Sequence, residues 1–332
     1  SYRFVIVDEA GRPAGIITRM ELFRRLFEHQ HAAGSSLDHR MAGARPTSQP
    51  ISRILREISP PWVQRLIAAA REVADRLGIS VYLVGGMVRD MLLERVNEDV
   101  DLVVEGDGIA FAEALAEVLD GRAHPHLPFL TAVITLPDGL RIDVASARTE
   151  FYRTPAALPE VATSLIRQDL YRRDFTINSL AVVLSGDRYG ELVDFFGGRM
   201  DIQRQEIRVL HSLSFIDDPT RALRAVRYAR RLGFTIAADT RNLISTALEE
   251  GVFERLSGQR LRRELEILLA EPHPTPALAL IADLGLLPAI CPGLEWSEQI
   301  GSYLMEIEGQ LAWYQLEHIG PPPEPWILFL AG

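Results

Sequence analysis

The chain has 332 residues, 47% hydrophobic and 24% charged, with a formal net charge of −10. That length exceeds one ordinary core and points to two or three domains, and the balance is that of a soluble globular protein rather than a disordered or fibrous one. The single cysteine, Cys291, excludes an internal disulfide framework; no apolar run reaches the roughly 18 residues of a membrane span; and SYRFVIVDEAGRP lacks a signal-peptide shape, so a cytoplasmic protein without a membrane partner is expected.

Tyr2 to Asp8 alternates as a short strand. Glu9-Ala10-Gly11-Arg12 is a turn, Pro13 to Ile17 a second strand, and Thr18 caps a helix running to about Gln30. This hairpin and helix resemble the last part of a CBS motif, in which a VVDE-G-hhGIIT pattern precedes a helix; any other ββα unit is the plain alternative. Only one fragment of such a motif is present, so a nucleotide-sensing cleft would be incomplete. His31 to Pro50, rich in Ala, Gly, Ser, Pro and His, reads as a linker. Pro60-Pro61 then opens a helix from Trp62 to Leu77.

The next stretch, VYLVGGMVRDMLLERVNEDVDLVV from Val81 to Val104, carries the most chemistry. It reads as a strand, the Gly85-Gly86 turn, a helix opening with Val88-Arg89-Asp90, and a strand bearing Asp99 and Asp101. A glycine turn feeding a helix N-terminus is a phosphate cradle. Carboxylates at i and i+2 of a strand share a face, so Asp99 and Asp101 can converge on one or two divalent cations, the equipment of metal-assisted phosphoryl or nucleotidyl transfer. Taken singly, the glycines could be an ordinary turn and the acids a solvated strand edge.

Ile109 to Leu119 is an amphipathic helix, and His124-Pro125-His126 reads as a polar loop, since the eight histidines show no zinc spacing. Leu130 to Leu136 and Leu140 to Ala145 pair across the turn Pro137-Asp138-Gly139. Asp143 on the second of these is a third carboxylate or proton acceptor, or else an exposed strand acid. Arg148 to Glu160, RTEFYRTPAALPE, reads as a mobile loop near the site, or as an ordinary long connection. The mixed α/β pattern ends near residue 205. Beyond it the chain is helical: Pro219 to Leu232, Thr240 to Glu250, Ser257 to Ala270, Pro276 to Leu286, and from Ile300 on. From Arg204 to Arg263 there are twelve arginines and seven acids, a net +5 inside an acidic protein that has no lysine at all. Every basic site is therefore a potential bidentate phosphate ligand.

Five motifs in order resemble the tRNA nucleotidyltransferase and bacterial poly(A) polymerase family, of the class shared by bacteria and eukaryotes. They are LVGGMVRD with EDVDL, then DLYRRDFTINSLA (Asp169 to Ala181), DFFGGRMDI (Asp194 to Ile202), DDPTRALRAVRYARRLGF (Asp217 to Phe234) and ERLSGQRLRREL (Glu254 to Leu265). The resemblance spans about residues 80 to 270. It implies a nucleotidyltransferase head with a mixed sheet at 60–205, a helical neck at 206–270 and a helical body at 271–332, truncated at its end, preceded by the CBS-like unit at 1–32 and a linker at 33–59. It implies two Mg²⁺ ions on Asp99 and Asp101, one lowering the pKa of an RNA 3′-hydroxyl and the other neutralising pyrophosphate. Gly86 and Arg89 would grip the triphosphate, with Asp90 fixing the arginine's fork.

The resemblance further implies that Arg172, Arg173, Asp174 and Asn178 hold the nucleotide's sugar and phosphates, Asp174 accepting from a ribose 2′-hydroxyl; a structural salt-bridge knot is the alternative. Asp218 and Arg221 would read the Watson–Crick edge of the incoming base in place of a template, while Arg224 and Arg227 face the triphosphate. A carboxylate accepts from the exocyclic amine that C and A carry and G and U lack at that position. Asp218 before Pro219 is also a plain helix cap, a duty Asp217 could share. Two departures stand out: Leu93-Glu94-Arg95 replaces the family's Leu-Gly-Arg, and Asp217-Asp218 replaces Glu-Asp. The expected activity is template-independent addition of terminal A, or CCA, to tRNA 3′ ends from ATP and CTP. A poly(A) polymerase is the rival within the family, and a nucleotide-sensing CBS module with a degenerate polymerase site the rival outside it.

Overall fold

The computed structural model describes residues 3–7, 13–18, 51, 55, 57, 60–151 and 160–317. The chain divides into two compact units, 1–46 and 47–332. In the first, β1 (Arg3–Val7) pairs antiparallel with β2 (Pro13–Thr18), Arg3 opposite Thr18, with the register slipping between Ile6 and Val7. The expected hairpin is thus present. The helix expected to follow Thr18 lies outside the described residues, as does most of the linker expected at 33–59. Two residues of that linker, Ile51 and Leu55, are buried in the second unit, and the Ile51 amide donates to the Gly190 carbonyl at 2.9 Å. These two apolar residues lie just past Pro50, where the stretch rich in Ala, Gly, Ser, Pro and His ends.

The second unit is built on a seven-stranded sheet. Helix α1 (Pro61–Leu77) buries Val63, Leu66, Ile67, Ala70, Val73 and Ala74, a stripe at helical spacing, and ends at Gly78 with φ 66°. Then come β3 (Ser80–Val84), α2 (Gly86–Leu92), β4 (Val100–Glu105), α3 (Gly108–Val118), β5 (Arg122–His126), β6 (Thr131–Thr135) and β7 (Arg141–Ser146). After the short ladder of β8 (Arg148–Phe151) with β9 (Glu160–Thr163) follow α4 (Ile166–Tyr171), β10 (Leu180–Val183) and β11 (Leu192–Asp194). The order across the sheet is β11-β10-β3-β4-β7-β6-β5, and only β4 and β7 pair in parallel, so the sheet is mixed. Val100, Leu102 and Val104 of β4 align with Ile142, Val144 and Ser146 of β7 on the face buried under α3, which packs on α1. Alternation turns Asp101 and Asp143 to the opposite face.

The remaining elements are α5 (Gly198–Arg204), β12 (Glu206–Ile207), α6 (Ser214–Asp217), α7 (Thr220–Leu232), β13 (Thr235–Ile236), α8 (Ala238–Glu249), α9 (Gly258–Leu269), α10 (Thr275–Asp283), α11 (Leu287–Ile290) and α12 (Glu298–Leu316). Helix α7 packs on both α9 and α10, and α10 on α12. Residues 47–332 cluster as one unit, so the divisions at 205/206 and 270/271 mark changes of secondary structure and not gaps in packing. No helix among the described residues is long and apolar enough to cross a membrane.

Three local expectations differ from the structure. His124-Pro125-His126 is not a loop but part of β5, the edge of the sheet, where a proline lacking an amide hydrogen is tolerated. The segment 148–160 is not a loop at its ends: Arg148–Phe151 and Glu160–Thr163 form a ladder, and 152–159 lie outside the described residues. Asp99 is not on the strand; β4 begins at Val100.

Candidate active site

The turn between β3 and α2 sets the floor of the site. Gly85 has φ 72° and ψ −133°, a conformation open to glycine, and a Cβ there would lie 2.9 Å from Arg173 Nη1 and 3.3 Å from Asp101 Oδ2. The glycine therefore brings the backbone against the arginine cluster and the first strand carboxylate at once. Asp101 is the register partner of Asp143 across the parallel pair. Asp99 sits one residue before the strand, exposed, its amide donating to Asn97 Oδ1 at 2.8 Å.

Electrostatics tie the three acids together. Burial pushes Asp101 up to about 6, against the pull of Arg173, and the charges of Asp143, Asp99 and Asp169 push it further. Burial also raises Asp143, with Arg141 opposing and Asp99 adding to the rise. The acids repel one another on one open face, and a divalent cation would relieve that repulsion. Among the described residues no three acidic, histidine or cysteine side chains form a closed metal cage. Mg²⁺ suits such an incomplete set, since it is commonly held by one or two carboxylates and completed by water and substrate phosphates. The residues present fit that ion.

A continuous run of polar contacts joins the first, second, fourth and fifth motifs. Asn97 donates to Asp90 at 2.6 Å; Asp90 receives both Nε and Nη2 of Arg89 at 2.8 Å; Arg89 Nη1 donates to Asn178 Oδ1 at 2.7 Å. Asn178 donates to Asp174 at 3.0 Å, and Asp174 receives Nε and Nη2 of Arg224 at 2.9 and 2.6 Å. Arg224 and Arg227 each stand 3.6 Å from Glu264 of α9. Burial raises Asp174, but Arg224 and the Asn178 hydrogen bond outweigh it and hold the carboxyl at about 2. Asp169, fully buried, receives Arg172 at 2.7 Å and Arg173 at 3.3 Å. Burial opposes its ionisation, yet the two arginines bring its pKa below the ordinary value.

These elements line a cavity of about 680 Å³. Gly85, Gly86 and Asp101 lie at its wall with Arg172, Arg173, Asp174, Asn178, Asp218, Arg221 and Arg224. Ten of the expected site residues therefore share one cavity. Five do not line it: Arg89, Asp90, Asp99, Asp143 and Arg227. Arg89 was expected to grip a triphosphate, but it is 3% exposed, with its guanidinium committed to Asp90 and Asn178. It holds the α2 turn against the Asn178 turn, and Asp90 fixes its fork as expected. Arg227 is likewise buried, beside Glu264 and under the Tyr228 ring at 4.9 Å, and so does not face the cavity.

Two further side chains are more occupied than their expected roles allow. Asp174 accepts from Phe175 N and Asn178 on Oδ1 and from Arg224 twice on Oδ2. A ribose hydroxyl would have to share an oxygen with one of these donors. Arg221 donates to Ser214 Oγ at 2.8 Å and to the Arg172 carbonyl at 2.7 Å. Asp218 does act as a cap: Oδ1 accepts from Thr220 N at 3.1 Å and Thr220 Oγ1 at 2.6 Å, and also from Arg260 Nη2 at 2.7 Å.

The third motif supports this wall from behind. Asp194 accepts from the amides of Phe196, Gly197, Gly198 and Arg199, capping α5. Asp201 accepts from Thr176 Oγ1 at 2.6 Å, and a Cβ at Gly198 would stand 2.2 Å from the Thr176 carbonyl oxygen. The turn bearing Asn178 is thus seated on α5. Sequence reading passed over Asp169, Asn97, Tyr228, Arg260, Arg263 and Glu264. Asp169 was legible in retrospect, since it precedes Arg172 and Arg173 by three and four residues on one helical turn. Tyr228, ringed by Arg89, Arg224 and Arg227 at 4.9 to 5.7 Å, needed the tertiary structure.

Residues 81–208 match the family described as Poly A polymerase head domain, and 233–297 the one described as Probable RNA and SrmB- binding site of polymerase A. The fold aligns with the crystal structure of a tRNA nucleotidyltransferase complexed with a primer tRNA and an incoming ATP analog, at 35% identity and TM-score 0.69, over 79% of this chain and 73% of that one. This chain belongs to the tRNA nucleotidyltransferase family. A CCA-adding enzyme in apo form II gives TM-score 0.80 at 40% identity, over 85% of this chain and 66% of that chain. Among its relatives is the A-adding tRNA nucleotidyltransferase of Geobacter sulfurreducens, 42% identical over 98% of this chain, of which the chain spans 37%. The A-adding enzyme of Halalkalibacterium halodurans is 40% identical over 76% of this chain, which spans 60% of it. The chain is thus much shorter than the first of these tRNA nucleotidyltransferases and covers less than two thirds of the second.

Proposed function

We propose that this chain carries the nucleotidyl-transfer and nucleotide-selecting part of a tRNA nucleotidyltransferase that adds terminal A to tRNA. The cavity carries the reading: one wall presents a glycine cradle and a strand carboxylate, the other the Asp218 and Arg221 pair. Asp99 and Asp101, with Asp143 beside them, would hold Mg²⁺. When bound, the ion would activate the RNA 3′-hydroxyl and stabilise the leaving pyrophosphate. The Gly86 amide and the guanidinium of Arg173 would bind phosphates, Arg173 having among the described residues a 3.3 Å bond to Asp169 to give up, whereas the Gly85 amide already donates to the Leu180 carbonyl at 3.2 Å. Arg224, anchored by Asp174, presents positive charge on the same wall. Asp218 has its three hydrogen bonds on Oδ1, and Oδ2 is left to accept from the exocyclic amine of A or C.

Addition of A alone rests on the two relatives that are A-adding tRNA nucleotidyltransferases. The decisive measurement uses α-labelled ATP or CTP with tRNAs ending in the discriminator base, C or CC. One AMP added to the CC-ended tRNA, and no CMP added to the others, is the expected result. CMP addition would replace this reading with CCA synthesis, a long tail with poly(A) polymerisation, and no incorporation would remove the enzymatic reading.

A further inference from the structure

We propose that Arg260, on the first turn of α9, is a positioning residue that orients the Asp218 carboxylate, so that α9 helps determine which base α7 accepts. The inference rests on the reading of Asp218 as a base reader and adds a residue to which no role in selection has been given.

A carboxylate is a poor reader of a base edge unless it is pinned. Its terminal torsion is broad and nearly two-fold, and either oxygen can accept from an amine or repel a carbonyl. Thr220 supplies one pin, through its amide and hydroxyl. That pin is local and comes with any helix start of this kind. Arg260 supplies the second from 42 residues away, donating to the same Oδ1 at 2.7 Å. Three donors on one oxygen leave Oδ2 as the acceptor for a base, and both Asp218 and Arg260 line the cavity.

The placement of Arg260 is itself constrained. Ser257 caps α9 and its hydroxyl accepts from the Arg260 amide, so the arginine emerges from the third helical position. A cation there opposes the helix dipole, and the Asp218 carboxylate compensates it. The pair is partly shielded, with side chains 28% and 17% exposed, where a charge-assisted hydrogen bond orients more firmly than in open water. The contact also ties the fourth motif to the fifth, so a shift of α9 is felt at Oδ1.

The test is a cycle of Arg260→Gln, Asp218→Ala and the double variant, with Arg260→Lys as the conservative control. The readouts are the ATP-to-UTP ratio of kcat/KM on CC-ended tRNA and thermal stability without nucleotide. Arg260→Gln should lower the ratio by on the order of fivefold, the coupling of one charged pair, while Arg260→Lys recovers part of it. In the Asp218→Ala background, Arg260→Gln should change the ratio less than twofold. Additive losses would make Arg260 an independent substrate contact and overturn the proposal. So would a destabilised Arg260→Gln enzyme with unchanged selectivity, which is the signature of a purely structural pair. Wild type that fails to add AMP sinks the enzymatic reading and this inference together; wild type that selects ATP, with an equally selective Arg260→Gln variant, sinks this inference alone.

Discussion

Asp101 sits where its surroundings disfavour its charge. Its carboxyl is half-buried among other acids and raised to about 6, with burial the main cause and Arg173 the main relief. A raised carboxyl favours the fold while protonated, and that contribution is lost as pH rises from the ordinary value through about 6. Asp101→Asn should therefore melt higher than wild type at neutral pH, by on the order of 1–2 kcal/mol, with the difference closing below about pH 4. It should also lose nucleotide addition by on the order of a thousandfold, the several kcal/mol that an ion's ligand sphere supplies. Melting curves between pH 4 and 8, set beside AMP incorporation, check both halves; a destabilised variant, or an active one, contradicts the argument. At this scale the sequence told which residues gather but not which way they face. Asp101, Arg173 and Asp174 share the cavity because motif order and spacing brought them there. Arg89 and Arg227 turned inward because Asp90 with Asn178, and Glu264, offered buried partners that only the fold brings near.

Among the elements, helix α2 shows the cost of one departure from the family's pattern. The chain reverses after Leu92 with Glu94 at φ 55°, a left-handed conformation. The Glu94 amide reaches the Met91 carbonyl at 3.1 Å and the Arg95 amide the Asp90 carbonyl at 2.8 Å, which closes the helix end. Loss of the glycine does not open this turn. It is as tight as a glycine turn, and a non-glycine residue bears the strain. Relief of a left-handed Cβ is worth about 1–2 kcal/mol, of which glycine's extra unfolded-state freedom removes roughly 0.5–1 kcal/mol. Glu94→Gly should accordingly stabilise the protein by about 0.5–1 kcal/mol with activity unchanged, measurable by denaturant unfolding; a loss of stability would show that Glu94 makes a contact worth more than its strain. Long helices such as α1 and α7 were legible because their apolar stripes repeat at helical spacing. Strand β5 was not: RAHPH has no apolar alternation, and its neighbour β6 rather than its own residues makes it a strand.

Across the whole molecule, the charge balance separates the proposed nucleotide cavity from the surface that would meet RNA. The chain carries a net −10, yet the stretch 204–263 is net +5. The fold divides those arginines three ways, with Arg208, Arg241 and Arg262 held in ion pairs to nearby acids. Arg221, Arg224, Arg227 and Arg260 turn into the interior or the cavity and are matched by Ser214, Asp174, Glu264 and Asp218. Arg204, Arg230, Arg231 and Arg255 are exposed outside the cavity, and none of them forms an ion pair within 4 Å among the described residues, while Arg263 is exposed at the cavity wall. Guanidinium groups without an internal partner are free to neutralise phosphates, and each phosphate contact releases a counterion. If the surface holding them grips tRNA, the logarithm of affinity should fall linearly with the logarithm of salt. Each arginine that meets a duplex phosphate contributes about 0.9 to that slope. Replacing Arg230 and Arg231 with glutamine should then lower the slope by up to about 1.8 and weaken binding of all tRNAs alike. The ATP-to-UTP ratio, set inside the cavity, should not move. Filter binding of the paired variant from 50 to 300 mM salt measures the first effect and incorporation assays the second. An unchanged slope would place the RNA elsewhere on the molecule, and a changed base preference would mean that grip and selection are not separate.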